Sequence, residues 1–88
     1  MNLLWTPGAW EDYLYWQRQD RRMLRRINEL IRDAMRSPHE GLGKPEPLRG
    51  NWSGWWSRRI DREHRLVYRV GRDGQDTRLE IAACRYHY

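Results

Sequence analysis

The chain of 88 residues contains no phenylalanine, a single cysteine, Cys84, and a single lysine, Lys44. One cysteine excludes an intramolecular disulfide and any cysteine-built metal site. No apolar run approaches the length needed to span a bilayer, and no signal peptide is recognisable, so a reducing, cytoplasmic setting and no membrane partner are expected. The missing phenylalanine is replaced by six Trp and five Tyr. These rings bring large apolar area with a polar handle each, so some are required by the core and cannot all be a binding surface.

With one lysine, sixteen of the seventeen basic residues are arginine, and the net charge is +5. An arginine preference suits phosphate, because the planar fork donates in pairs. A codon bias of the source genome accounts for it equally well. Position is more informative: residues 44–72 hold eight basic residues against three acidic ones (Glu46, Asp61 and Glu63), a net +5, and the remainder is balanced. A local basic stripe favours a polyanion such as nucleic acid.

One domain over residues 1–88 is expected. Residues 2–6 read as a first strand, and Thr6 followed by Pro7 as a helix start. Trp10, Tyr13, Leu14 and Gln17 mark one side of that helix. Asp20 reads as a second N-cap, before a helix with Met23, Ile27, Leu30, Ile31 and Ala34 at 3.6-residue spacing. The arginines on its other sides are either a binding face or a solvated surface. Ser37-Pro38 ends it, and residues 38–51 read as loop. Strands are expected over residues 52–61, 64–70 and 77–86, with a hairpin turn at 71–76. Leu66, Tyr68 and Val70 then share one face, and Arg65, Val67 and Arg69 the other. The order β-α-α-β-β-β predicts an α+β fold: an antiparallel sheet with two N-terminal helices on one face and arginines on the other.

Such a face could hold RNA, which can be cut without metal or cofactor. The 2′-OH attacks the adjacent phosphate if a base takes its proton, a cation stabilises the phosphorane and an acid protonates the leaving oxygen. Glu46, stiffened between Pro45 and Pro47, Arg65 and His87 form one candidate set. Each has a plainer reading: a loop carboxylate, one surface charge among Arg58, Arg59 and Arg62, and an inert terminal imidazole. His39, His64 and His87 lack the spacing of a zinc site, "GLGKPEP" lacks the residues of a phosphate-binding P-loop, and Cys84 among Ile81, Ala82 and Ala83 reads as a buried thiol.

The stretches "GKPEPLRGNWSGWWSRRI", "EHRLVYRV" and "AACRYHY", with "WEDYLYWQ" and "INELIRDAMRSPHEGLGKPEPL" before them, resemble the YoeB branch of the RelE superfamily of toxin–antitoxin toxins. The likeness runs from Trp5 to Tyr88. It implies a RelE-like fold and a ribosome-dependent endoribonuclease that cuts mRNA in the A site of the 70S ribosome. Residue by residue it implies Glu46 as general base, Arg65 as transition-state stabiliser, His87 as general acid and Tyr88 as a substrate-positioning ring, with Arg59, Lys44 and Arg49 as phosphate contacts. It also implies a homodimer, neutralisation by a Phd/YefM-type antitoxin, and operator DNA bound through the antitoxin complex. The alternatives are a non-catalytic RNA- or ribosome-binding module and a transcriptional regulator acting alone. On the catalytic reading Tyr86 is expected to anchor the last strand in the core, holding His87 and Tyr88 at the edge of the RNA-binding face.

Overall fold

The computed structural model describes residues 1–86. Strand β1 (Asn2–Trp5) leads into helices α1 (Pro7–Gln19) and α2 (Arg21–Arg36). Strands β2 (Glu46–Pro47), β3 (Trp56–Arg59), β4 (Arg65–Asp73) and β5 (Asp76–Ala83) follow, with a 3₁₀ turn at Gly50–Trp52. The five strands form one sheet in the order β1-β5-β4-β3-β2. The expected α+β architecture is therefore present, with two additions. The β1–β5 pair is parallel, because the helical hairpin returns the chain to the far edge of the sheet. The expected loop 38–51 contributes β2, which fits an edge strand: its outer side tolerates a proline that cannot donate.

Local chemistry sets the helix limits. Thr6 Oγ1 accepts from the Ala9 N–H at 3.1 Å and donates to Ala82 O at 3.2 Å, so one hydroxyl caps α1 and ties it to β5. Asp20 ends α1 through its N–H on Trp16 O at 2.9 Å. Its Oδ1 starts α2 by accepting from Arg22 at 3.0 Å and Met23 at 3.3 Å. A single residue thus turns one helix into the next.

The core gathers Ile27, Leu30, Ile31 and Ala34 of α2 against Leu66, Tyr68, Leu79 and Ile81 of the sheet. The periodic face of α2 and the inward face of β4 are those expected from spacing. Helix α1 differs: Ala9 and Trp16 are its buried residues, while Trp10 and Gln17 are exposed. The helix is rotated so that the Trp16 indole, whose N–H needs an acceptor, reaches Cys84 O at 2.8 Å. Trp10 instead stacks at 5.8 Å on Tyr13 near Trp5.

Three strand limits also differ from expectation. Strand β3 begins at Trp56, four residues late, because Gly50–Trp52 turns and Trp55 N–H donates to Trp52 O. The ladder of β4 and β5 runs through the expected turn to a two-residue loop, Gly74-Gln75, with Gly74 at φ 65 as a tight hairpin requires. Strand β5 stops at Ala83, and Tyr86 takes φ 64.

The largest fully buried side chain among the described residues is Arg58, with 0% exposure on the core side of β3. A guanidinium has five N–H donors, and all five are satisfied. Nε donates to Tyr68 Oη at 2.9 Å; Nη1 donates to Asp33 Oδ2 at 2.6 Å and Leu42 O at 3.0 Å. Nη2 donates to Ser37 O at 2.6 Å and Glu40 O at 2.9 Å. Tyr68 Oη passes its own proton to Pro38 O at 2.6 Å. This network closes residues 37–42 over the end of α2 and delivers the chain to β2.

Two predictions follow from that network. Lysine offers three donors at one atom, so Arg58→Lys leaves several buried carbonyls unpaired; at about 1 kcal/mol for each net hydrogen bond, unfolding free energy should drop by roughly 2–4 kcal/mol, read by urea melts. The Arg58 guanidinium, with the Leu42 N–H, holds the Asp33 carboxyl down at about 2 against an ordinary 3.8. A depressed carboxylate stabilises fully above its unfolded value and loses that contribution as pH falls through its folded value. The stability gap between the parent and Asp33→Asn should therefore be flat above about pH 5 and close between about pH 4 and pH 2 in urea melts.

Candidate active site

Sheet register assembles the site. Glu46 of β2 lies opposite Ser57 of β3, which lies opposite Val67 of β4, which lies opposite Ala83 of β5. One row along the same face, Arg59 lies opposite Arg65. Side chains alternate along a strand, so Glu46, Arg59 and Arg65 all stand on the face away from the helices. Neighbouring strands are about 4.8 Å apart, which puts the Glu46 and Arg65 backbones on the order of 10 Å from each other with β3 between them.

Glu46 is exposed and held on both sides. After it, Leu48 N–H donates to Trp55 O at 2.9 Å. Before it, Arg59 N–H donates to Gly43 O at 2.7 Å. Gly43 sits at φ 79 with its Cα against the core: a Cβ there would meet Leu30 at 2.8 Å and Arg59 O at 3.0 Å. Glycine is required for the approach that brings Lys44 beside Arg59. Lys44 and Arg49 are exposed on either side of Glu46 in sequence, and Arg59 is exposed on β3. All three expected phosphate contacts are thus free to meet a polyanion along the β2–β3 edge.

Arg65 is half-buried, and its Nη1 donates to Asp61 O at 3.1 Å and His64 O at 3.3 Å. Both bonds use one terminal nitrogen, so the guanidinium is oriented by the turn before β4. Asp61 shapes that turn, accepting at Oδ1 from the N–H groups of Glu63 and His64, both at 2.8 Å. Burial raises the Asp61 carboxyl, but those two N–H groups outweigh it and hold the group below its ordinary value.

The face is less open than its arginines suggest. Ser57 and Val67 in its middle row are 4% and 1% exposed. Beyond that row Arg69 lies 4.3 Å over the Trp55 ring and pairs with Glu80, which also takes Arg78. Bonding to Arg69 first, and to Arg78, holds the Glu80 carboxyl below its ordinary range despite burial. Arg69 is therefore spent on an internal pair, whereas Arg59 and Arg65 face outward. Glu46, Arg59 and Arg65 share this face, and Tyr86 joins it at the backbone of Arg65.

His87 and Tyr88 lie outside the described residues. The chain leading to them is described. Cys84 N–H donates to Asp12 Oδ2 at 3.0 Å, and Cys84 O accepts from Trp16 Nε1 at 2.8 Å. The Arg85 guanidinium lies 3.5 Å over the Tyr15 ring and 4.7 Å from Tyr86. Tyr86 N–H donates to His64 Nδ1 at 2.7 Å, and Tyr86 O accepts from Arg65 N–H at 2.8 Å. The expectation that the Tyr86 ring anchors this segment in the core is wrong: the side chain is 55% exposed. Its backbone is the anchor, bonded on both sides to the His64–Arg65 segment with φ at 64.

Among the described residues no group of three His, Cys, Asp or Glu side chains comes together as a cation site would need. Two participants escaped the reading of spacing. By composition Arg58 is one surface charge among several, but Trp56, Arg58 and Ile60 share the core side of β3, and that period of two is the available signal. His64 lacks the spacing of a zinc ligand, and no local pattern announces its acceptor role.

Cys84 is fully buried, its Sγ 3.8 Å from Ala9 O, and burial, followed by the nearby Asp12 charge, pushes the thiol well above its ordinary value. It should be silent to a thiol reagent in the folded protein and react stoichiometrically in denaturant; fast labelling in native buffer would contradict this burial.

The chain matches the family model of the YoeB-like toxin of bacterial type II toxin–antitoxin system over residues 5–88. It is 60% identical over 88 residues to toxin YoeB of Escherichia coli strain K12, covering 100% of both chains. It superposes on the YoeB/ParE toxin from Agrobacterium tumefaciens with a TM-score of 0.95, 58% identity and complete coverage of both chains. The YoeB dimer from Staphylococcus aureus gives 0.89 at 47% identity, over 100% of this chain and 98% of that one. YoeB in the heterotetrameric YoeB-YefM toxin–antitoxin complex of the same organism gives 0.86 at 47% identity, with the same coverage. No helix among the described residues is long and apolar enough to cross a membrane.

Proposed function

The chain belongs to the family of YoeB-like toxins of bacterial type II toxin–antitoxin systems, and from that membership we propose that it is a ribosome-dependent endoribonuclease that cuts mRNA in the ribosomal A site. The observation that carries the reading is the register that stands Glu46, Arg59 and Arg65 on one face, with Tyr86 bonded to the backbone of Arg65.

Glu46 takes the proton of the 2′-OH at the cleavage site. The 2′-oxygen attacks the adjacent phosphorus and forms a phosphorane, whose charge Arg65 neutralises with Arg59 beside it. His87 gives a proton to the departing 5′-oxygen. The P–O5′ bond breaks, leaving a 2′,3′-cyclic phosphate and a 5′-OH. In-line attack needs base and acid on opposite sides of the phosphate. The spacing supports this: Glu46 is on the β2 side of the arginines, and the segment leading to His87 joins at β4. Lys44 and Arg49 contact flanking phosphates, and Tyr88 stacks on a base, an interaction worth about 1–3 kcal/mol. No metal or cofactor takes part in these steps.

The partners follow from the same membership. The S. aureus relatives form a YoeB dimer and a YoeB-YefM heterotetramer. For this chain we take a homodimer, a YefM-type antitoxin that neutralises it, and operator DNA reached through the toxin–antitoxin complex. Its substrate places it in the cytoplasm, on 70S ribosomes.

Glu46→Gln, Arg65→Ala and His87→Gln should each slow cleavage of mRNA on programmed ribosomes by roughly 10²- to 10⁴-fold, with ribosome binding retained. Products should end in 2′,3′-cyclic phosphate. A variant that cuts at the parent rate removes that residue from the mechanism; ribosome binding with no cleavage by the parent protein would return it to a binding module.

A further inference from the structure

His64 has no part in the chemistry above, yet its surroundings are among the most constrained in the molecule. It is 8% exposed and packs edge-on against Trp16, ring centroids 4.8 Å apart. Its backbone is locked in the turn before β4: O accepts from Ile60 N–H at 2.9 Å, and N–H donates to Asp61 Oδ1 at 2.8 Å. A neutral imidazole has one donor and one acceptor nitrogen. Nδ1 accepts the Tyr86 N–H at 2.7 Å, which assigns the proton to Nε2, 3.6 Å from Glu63 Oε1.

Consecutive residues of one turn therefore bind both backbone groups of Tyr86, His64 through its ring and Arg65 through its N–H. The bound residue is in the left-handed region at φ 64 without being glycine. Such a conformation persists only where its surroundings over-determine it, and residues of this kind gather at functional sites. The exposed Tyr86 ring adds a tilted contact with the His64 ring, centroids 5.7 Å apart; the two hydrogen bonds hold its backbone.

We infer that His64 is a positioning residue for cleavage: its neutral ring accepts the Tyr86 N–H at Nδ1 and so fixes the backbone from which His87 departs. The inference rests on the proposed role of His87 as general acid. It explains why histidine stands there. An apolar residue leaves the Tyr86 N–H without a partner, and a doubly protonated imidazole has no acceptor to offer. The acceptor is also rigid, since the ring is wedged on Trp16 while its backbone is held by Ile60 and Asp61.

The test compares two mRNA substrates on programmed ribosomes, one with the natural 5′-oxygen at the scissile phosphate and one with sulfur in its place. A thiolate leaves without needing a proton, so loss of the general acid matters far less on the sulfur substrate. His64→Leu should cut the oxygen substrate roughly 10²-fold more slowly and the sulfur substrate at close to the parent rate, the pattern also expected of His87→Gln. His64→Asn, whose Oδ1 replaces Nδ1 as acceptor, should recover most of the loss. If sulfur rescues His87→Gln but not His64→Leu, the positioning role is overturned and the acid assignment stands. If sulfur rescues neither, the acid assignment fails and the positioning role with it. Should thermal melts show His64→Leu unfolded, His64→Asn and His64→Gln decide: Asn must exceed Gln on the oxygen substrate and equal it on the sulfur substrate, and equal rates on oxygen overturn the inference.

Discussion

A fully buried guanidinium is the constraint on which the rest of this small protein depends. Removing the Arg58 charge from water is costly, and the cost is offset only because every donor has a partner in place. Those partners are not interchangeable surface groups. They are the Asp33 carboxylate near the end of α2, three carbonyls of the turn that follows and the Tyr68 hydroxyl of β4. Asp33 in turn accepts from the Leu42 N–H at 2.9 Å. The consequence is geometric. A stretch with little apolar content is bound down residue by residue, and it emerges at Gly43 in register with β3. Glu46 owes its place opposite Ser57 to this clamp as much as to the two-residue strand it occupies.

The same network changes how the charge of the chain is read. The basic segment 44–72 is not a uniform stripe. Arg58 is neutralised inside the core by Asp33, and Arg69 is shared with Glu80 and stacked on Trp55. Lys44, Arg49 and Arg59 stay exposed and Arg65 half-exposed, with Arg59 and Arg65 on the same face of the sheet as Glu46. A polyanion is drawn to such a surface by the field of the group. Within it, a lone exposed carboxylate such as Glu46 does not repel the polyanion as a whole.

How much of this could be read from residues follows from the range over which each signal acts. Caps and periodic faces are local, and Thr6, Asp20 and the Ile27–Ala34 spacing of α2 led to the observed helices. The alternation of β4 is equally local and correct. The failures are long-range. Nothing near Trp10 says that α1 turns Trp16 inward, because the indole's acceptor is Cys84 O, 68 positions away in sequence. Nothing near Glu46 says that two residues between prolines add a strand, because the partner is β3. Tyr86 had the look of a core anchor by composition, yet its backbone is what is held. For the site, the case for Glu46 and Arg65 rests on motif resemblance, which is silent on His64, whose contact lies with a neighbour 22 residues on.

These long-range ties converge on one segment. The residues before His87 are held from the helical layer as well as from the sheet: Asp12 and Trp16 bind the two backbone groups of Cys84, Tyr15 lies under Arg85, and the turn at His64 takes Tyr86. Helix α1 is therefore more than a cover for the apolar face. It carries one side of the path to the proposed acid, while the Arg58 clamp carries the base on the other side of β3. Both paths are anchored in the same core, through Trp16 and Leu30. On a sheet face, the orientation of side chains comes from the layer below. That dependence accounts for an interior with a buried guanidinium, a buried imidazole and a tryptophan N–H, each aimed at backbone that leads to the surface.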